Sequence, residues 1–315
     1  MPLRLSVFLL FGLLSLSVRA EPTLLTSVKP LQLIAAAVQD GVGTPDVLLP
    51  PGASAHHYTL RPSDMRRIDS AALFYWVGPD LETFLPRVLR ARSAPSLAVQ
   101  DLPGLQLRHF GETLDEHAAH ADDAPDAHAD DEHPDEHDHA HRPGALDAHL
   151  WLLPANARLI AARMAADLAR VDPPNAARYR ANLQTFEQRL DALDLRLRAR
   201  LAPLAGQPFF VFHEAYDYFE SAYGLRHAGV FSLGEVQPGA RQVAAMRARL
   251  QQAGPTCLFS EPPQPPHLAQ TLSEGLPVRL AELDAMGDGL SADAGGYERL
   301  LENLGEQLAG CLEAR

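Results

Sequence analysis

The sequence predicts an α/β protein of two lobes, in which each lobe is a mostly parallel sheet flanked by helices and one long rigid connector helix joins the two. Short apolar segments alternate with helical patterns twice along the chain, an order typical of parallel α/β sheets. Between these regions lies a long amphipathic pattern without a strand signal. The chain has 315 residues, and this length exceeds the usual size of a domain built around a single hydrophobic core. Two domains are therefore expected.

The first lobe is expected to span residues 21–155 and holds four apolar segments of strand length. The predicted buried strands are Thr23–Val28, Val47–Leu49, Leu73–Val77 and Ser96–Val99. The predicted helices between them are Leu31–Gln39, Pro62–Ser70 and Asp80–Leu89. The start at Pro62 is favoured because the amide hydrogen that proline lacks has no partner in the first turn of a helix.

The second lobe is expected to span residues 204–315 and repeats the same alternation. Its predicted strands are Phe209–Phe212, Ala228–Ser232, Cys257–Ser260 and Val278–Ala281. Its predicted helices are Ala215–Tyr223, Ala240–Gln252, His267–Glu274 and Tyr297–Leu312. The order again favours a parallel sheet with helical crossovers.

Residues 156–203 are expected to connect the lobes through two helices. The first helical pattern covers Asn156–Ala169. The second covers residues 173–202, and its apolar positions recur at steps of three and four: Tyr179, Leu183, Phe186, Leu190, Leu193, Leu197 and Leu201. A helix of this length is on the order of 40 Å long, so we expect a stiff strut and little movement between the lobes.

The first 20 residues have the features of a secretory signal peptide. A basic residue, Arg4, precedes the apolar run Leu5–Val18, and Val18-Arg19-Ala20 places small residues at the positions that a signal peptidase reads before the expected cleavage point. A membrane anchor is the alternative, but the run is shorter than the roughly 20 apolar residues that span a bilayer. We therefore expect export to an oxidising compartment.

A single segment carries nearly all of the net charge. The chain has 40 acidic and 27 basic residues, and the 31 residues from Gly111 to His141 contain twelve of the acidic ones and no Lys or Arg. The same segment contains seven histidines: His117, His120, His128, His133, His137, His139 and His141. With few apolar side chains and strong like charge, residues 111–145 are predicted to form a disordered loop inserted into the first lobe.

Imidazoles and carboxylates together bind zinc, but a flexible loop fixes no geometry. Metal binding by the loop is therefore expected to be weak, multiple and largely lost below about pH 6. A charged linker that merely solvates the protein is the alternative. The acidic charge also argues against nucleic acid as a partner, because phosphates would be repelled.

Three histidines outside the loop stand where α/β proteins bind ligands. His56 follows the second predicted strand, His213 directly follows the strand "FFVF", and His149 lies just past the acidic loop. Because ligands bind beyond the carboxyl ends of parallel strands, His56 and His213 are expected to face each other across a cleft between the lobes. Each histidine alone is more often structural, and only their joint placement favours a metal site.

Four stretches resemble the zinc-binding proteins of bacterial ABC importers, the ZnuA group: "PGASAHHYTLRPSDMRRIDSAALFYWVGPDLETFL", "DAHLWLLPANA", "FFVFHEAYDYFE" and "CLFSEPP". The resemblance runs from about Glu21 to the C-terminus and includes the His-rich loop. It implies a periplasmic protein, not an enzyme, that captures Zn²⁺ and delivers it to an ABC-type zinc permease of the inner membrane. An accessory zinc chaperone is a further candidate partner, and a monomer is expected.

The resemblance also implies the metal ligands. The histidine of the family's "GAS-x-H" segment is His56, that of "HLWL" is His149, and the one that closes "VFH" is His213. Manganese and iron relatives have a carboxylate at this third position, so His213 favours zinc. The family's late acidic residue corresponds to Asp284 in "ELDAMG", while Ala55 stands where some zinc-binding members have a glutamate. The fourth ligand is thus Asp284, water or a loop histidine.

The chain has two cysteines, Cys257 and Cys311. In an exported protein an even number of cysteines favours a disulfide bond. Two separate buried thiols are the alternative, and a zinc site made of these two residues is disfavoured because no CxxC spacing is present.

Other classes of function remain open at the level of sequence. The protein could buffer or store zinc through the His-rich loop, or it could bind Mn²⁺ or Fe²⁺. Three histidines with an open fourth position also describe a catalytic zinc site, with Glu214 or Glu261 as a base. The metalloprotease pattern HExxH is not met, because Asp217 stands where the second histidine is required.

Overall fold

A computed structural model describes residues 23–111, 144–231, 239–262 and 267–314 of the chain. Its first sheet contains the strands β1 (Leu24–Thr26), β2 (Asp46–Val47), β3 (Leu73–Trp76) and β4 (Ser96–Ala98). The strands lie in the order β2-β1-β3-β4, and every neighbouring pair is parallel. All residues of the two central strands are buried, as in a parallel sheet that is covered on both faces.

The second sheet repeats this arrangement. It contains β5 (Phe209–Val211), β6 (Gly229–Val230), β7 (Thr256–Ser260) and β8 (Val278–Glu282). The order is β6-β5-β7-β8, again with parallel pairs throughout. The prediction of two parallel sheets is confirmed. In each sheet the first strand in chain order, β1 or β5, has the second strand on one side and the third on the other. This reversal of direction creates a crevice at the carboxyl ends of the strands.

Helices follow the strands in chain order. Those of the first lobe are α1 (Lys29–Val38), α2 (Pro62–Ser70) and α3 (Pro86–Leu89). Two helices, α4 (Pro154–Val171) and α5 (Ala176–Leu201), follow in the middle of the chain. The remaining helices are α6 (Asp217–Tyr223), α7 (Ala240–Ala253), α8 (His267–Ser273) and α9 (Gly296–Leu312).

The predicted helix Asp80–Leu89 is wrong over its first half, since α3 begins only at Pro86. The Glu82 carboxylate accepts the backbone N–H groups of Val77 at 3.1 Å and Gly78 at 2.9 Å, which holds this stretch in turns. A proline inside a helix also removes a backbone hydrogen bond, so the helical turn starts at Pro86 rather than running through it.

The long connector helix is present as α5, which has 26 residues. Its apolar face is buried at Tyr179, Phe186, Leu190, Leu193, Leu197 and Leu201. This face packs against α1 and α4 and also against α9, so one helix touches elements of both lobes. A single hydrophobic cluster accordingly includes residues of both sheets, from Leu24 in β1 to Phe259 in β7.

Cys257 in β7 and Cys311 in α9 form a disulfide bond, which confirms that prediction. Within the described residues no helix has both the length and the apolar character to cross a bilayer. The predicted signal peptide and the seven histidines of the acidic loop lie outside the described residues.

Candidate metal centre

The three histidines singled out in the sequence come together in the structure. His56 lies on the loop between β2 and α2, His149 directly precedes the 3₁₀ turn Leu150–Leu152, and His213 lies two residues after β5. His149 is buried, and the other two are half-buried. They therefore reach one place from both lobes and from the segment that precedes α4.

The spacing of the three imidazoles suits one metal ion. One ring nitrogen from each histidine can be chosen so that all three lie within 4.8 Å of one another. The ring centroids are 5.8 Å apart for His56 and His149, 5.7 Å for His56 and His213, and 4.8 Å for His149 and His213. Zinc binds imidazole nitrogen at about 2.0–2.1 Å, so a small inward adjustment of these rings brings all three into coordination distance.

Two of these imidazole rings are hydrogen-bonded to carboxylates. The Nδ1 of His149 lies 2.8 Å from Oδ1 of Asp147, and the Nδ1 of His213 lies 2.6 Å from Oε2 of Glu261. A carboxylate accepts a hydrogen bond from the Nδ1–H group, which puts the lone pair on Nε2, the atom that can bind a metal, and makes it more basic. The geometry is that of a carboxylate–histidine–metal arrangement.

Neither carboxylate was predicted to orient a histidine, although the sequence position of Asp147 and the strand register of Glu261 could have indicated this role. Asp147 is two residues from His149, and its Oδ1 also accepts the backbone N–H of His149 at 3.0 Å. Glu261 follows from strand register: Val211 of β5 pairs with Phe259 of β7, so the residues two positions further on, His213 and Glu261, are expected side by side. Burial raises the pKa of Asp147 to about 7, against the lowering effect of the His149 N–H group.

Asp284 is not part of the group of three imidazoles among the described residues. Its carboxylate instead accepts the backbone N–H groups of Met286 at 2.9 Å, Gly287 at 2.7 Å and Asp288 at 3.1 Å. Burial raises the pKa of Asp284, while these N–H groups act in the opposite direction. Its role as a metal ligand therefore stays a prediction.

A second group of possible ligands, Asp217, Glu220 and His227, lies at the start of α6 and before β6. The Nδ1 of His227 lies 2.9 and 3.0 Å from the two oxygens of Glu220, whose Oε2 also accepts the backbone N–H of His227 at 3.0 Å. Burial lowers the pKa of His227, but the hydrogen bond and charge of Glu220 outweigh it and raise the pKa. We interpret His227 and Glu220 as an internal ion pair, with Asp217 also within 3.7 Å of the imidazole.

Fold and site together define a two-lobed α/β protein with three imidazoles converging between its lobes. The family model for ZnuA, described as the periplasmic component A of the zinc-uptake complex, matches residues 24–311. The chain therefore belongs to the ZnuA family, and the resemblance noted in its sequence is confirmed.

High-affinity zinc uptake system proteins ZnuA are similar to the chain over almost their whole length. The protein of Yersinia pestis is 36% identical, with 93% of this chain and 92% of the relative covered. That of Paracoccus denitrificans is 37% identical, with 96% of each chain covered.

Solved structures share the fold. A crystal structure of ZnuA has a TM-score of 0.73 at 19% identity and covers 93% of this chain and 100% of its own. A zinc-bound ZnuA deletion mutant has a TM-score of 0.72 at 20% identity and covers 93% of this chain and 98% of its own.

Proposed function

We propose that this protein captures Zn²⁺ with high affinity in the periplasm and delivers it to an ABC-type zinc permease of the inner membrane. His56, His149 and His213 would bind the ion as cargo. The observation that carries the proposal is the convergence of these three imidazoles within 4.8 Å at the junction of the lobes. Membership in the ZnuA family supports it.

The donor set favours zinc. Neutral imidazole is a borderline donor that suits Zn²⁺, whereas Mn²⁺ and Mg²⁺ prefer more oxygen ligands. The carboxylates of Asp147 and Glu261 orient two of the imidazoles and increase their basicity. Asp284, water or a histidine of the acidic loop would complete four-coordination.

Export supports the same function. The N-terminal 20 residues have the features of a signal peptide, so the mature protein would begin after Ala20 and act in the periplasm. Transfer to the permease involves no covalent step, so docking must release the ion by disturbing the ligand geometry. We expect a small movement of the second lobe around Asp284. Hydrogen exchange of this region that is identical in the metal-free and zinc-bound protein would contradict that step.

The His-rich loop would act as an accessory. Its seven histidines and twelve carboxylates attract divalent cations and would concentrate zinc near the site or sense zinc sufficiency. The two ends of the loop are held together, since Phe110 N–H donates to Ala145 O at 3.0 Å and Gly144 N–H donates to Phe110 O at 2.8 Å. Removal of residues 112–141 therefore leaves the flanking backbone in place.

The test is a zinc titration of the metal-free mature protein against a competing chelator, with and without residues 112–141. One tight equivalent should persist without the loop and disappear when His56, His149 and His213 are all replaced by alanine. If removal of the loop, with the three histidines intact, abolished all tight binding, the protein would instead be one that stores or buffers zinc.

A further inference from the structure

One short segment of the second lobe receives a hydrogen bond from each of the three histidine-bearing stretches. This segment, Leu283–Asp288, follows β8 and is called here the hub segment. Tyr216 donates its hydroxyl to Leu283 O at 2.8 Å, and Trp151 donates Nε1–H to Ala285 O at 3.0 Å. Gly52 donates its backbone N–H to Oδ2 of Asp288 at 2.6 Å.

Each of these donors is close in sequence to one histidine of the metal centre. Tyr216 lies three residues after His213, and Trp151 lies two residues after His149. The rings of Trp151 and His149 are also in edge contact, with centroids 5.4 Å apart. The third donor, Gly52, lies four residues before His56 on the same loop. The hub segment is therefore a common attachment for three stretches that are far apart in the chain.

The shape of the hub segment is itself fixed. The Asp284 carboxylate accepts three successive backbone N–H groups of the turn, as described above. Gly287 has a φ of +67°, and a Cβ atom there would lie 3.1 Å from Leu290 and 3.4 Å from Leu33 of α1. A side chain at Gly287 would thus meet both backbone strain and crowding. The turn is therefore stabilised by its own hydrogen bonds and lies close to Leu33 of the first lobe.

Two of the three attachments are buried and use neutral groups, and the third is different. Trp151 and Tyr216 are almost fully buried, whereas the hydrogen bond from Gly52 to Asp288 is exposed and involves a carboxylate. The charge of Asp288 also acts on Lys29 at the start of α1. Asp288 is therefore a charged contact between the second lobe and the loop that carries His56.

We propose that the hub segment is a positioning element of the metal centre, and that Asp288 is the positioning residue that sets the place of His56. This inference rests on the proposed function and adds residues to it that do not bind the ion. Metal sites depend on ligands held close to their bound geometry, and groups that orient the ligands change affinity by about 10–100-fold when removed.

The experiment compares zinc release from the full mature chain carrying Asp288→Ala, Asp288→Asn or Asp293→Ala. Asp293 is the matched control, because it lies nearby, also accepts a backbone N–H, from Gly295 at 2.9 Å, and also faces a cation, Arg299. Asp288→Ala should release zinc about tenfold faster, while Asp288→Asn keeps an acceptor oxygen and should recover most of the wild-type rate. Asp293→Ala should release zinc at the wild-type rate.

Replacement of zinc by Co²⁺ reports the geometry of the metal ligands, which would not change if Asp288 served only the stability of the fold. Asp288→Ala should alter the visible d–d spectrum of bound Co²⁺, which reports ligand geometry, and Asp293→Ala should not. Should Asp288→Ala fail to fold, Trp151→Phe tests another attachment, with Tyr75→Phe as its control, since Tyr75 donates to Asp167 at a buried site away from the metal.

Unchanged zinc release and cobalt spectra in Asp288→Ala would overturn the positioning role while leaving the proposed function intact. Equal effects in Asp288→Ala and Asp293→Ala would also overturn it, since the change would then be unspecific. Absence of a tight zinc equivalent in the wild-type protein would overturn the proposed function and the positioning role together.

Discussion

At the scale of single residues, hydrogen bonds from two of the imidazoles to carboxylates determine how these ligands are oriented. The Nδ1 of His213 lies against the carboxylate of Glu261, and the Nδ1 of His149 lies against that of Asp147. Each contact selects the tautomer whose lone pair is on Nε2. These two rings are therefore oriented before any ion arrives. Less reorganisation accompanies binding, and affinity increases accordingly.

Replacement of Glu261 by glutamine should weaken zinc binding about tenfold, because an amide oxygen carries no charge and leaves the imidazole of His213 less basic. Zinc titration against a chelator measures the change. Glu282→Gln is the control, since Glu282 pairs with Ser260 at the same end of the sheet but is exposed. Equal affinities of Glu261→Gln and wild type would contradict an orienting role for Glu261.

The ion pair of His227 and Glu220 predicts a pH-dependent contribution to stability. The pKa of His227 is raised in the folded protein by Glu220, although burial alone would lower it. The contribution is therefore complete below the unfolded pKa of about 6.5 and is lost as the pH rises through the higher folded value. Thermal unfolding of the metal-free protein should show a difference between wild type and His227→Gln that shrinks with increasing pH. A difference that grows with pH would contradict this assignment.

Among the elements, α5 connects the two lobes mechanically because its buried face contacts α1, α4 and α9. Most of the stability of a helix in a folded protein comes from packing of its apolar face, so this buried face keeps α5 in place. A helix of 26 residues is about 40 Å long.

Leu190→Ala in α5 should lower the free energy of unfolding by about 2–5 kcal/mol, because Leu190 is fully buried and its removal leaves a cavity. Leu195→Ala in the same helix is the control: Leu195 is 70% exposed, so the change should stay within about 0.5 kcal/mol. Urea denaturation of the metal-free protein measures both. A similar loss in the two variants would contradict the assignment of this stability to the packing of Leu190.

The strands and the three histidines were predictable because their signals are local. Apolar runs of strand length and the histidines that follow them can be found without knowledge of the fold, as with His213 after β5. The turns before Pro86 were not predicted, since a side chain four residues along, Glu82, decides the backbone path there. The hub segment could not be predicted either, because its partner Gly52 is 236 residues away in the chain.

At the scale of the whole molecule, one hydrophobic cluster runs through both lobes and α5 supports both. The lobes are therefore expected to move little when the ion binds, and zinc should act mainly as a clamp between segments already in contact. Opening the site would require separating packed apolar surface as well as breaking metal–ligand bonds.

Zinc should stabilise the whole protein by an amount that grows with the logarithm of the ratio of free zinc to its dissociation constant. Free zinc at 100 times the dissociation constant adds about 2.7 kcal/mol to the free energy of unfolding, if the unfolded chain does not bind it. Thermal unfolding with and without zinc should show this increase for the protein lacking residues 112–141. The variant with alanine at His56, His149 and His213 should show none; an equal increase there would contradict binding at these residues.

The residues on the two sides of the acidic loop are paired with each other, so the length of the loop can change without moving its ends apart. His109 and Leu146 form an antiparallel bridge, and Asp147 N–H donates to Arg108 O at 2.9 Å, so the backbone that leads to His149 is anchored before the excursion begins and after it ends. Doubling the length of a flexible loop costs only about 0.6 kcal/mol. The insert can therefore be shortened or lengthened while the backbone on both of its sides keeps these hydrogen bonds.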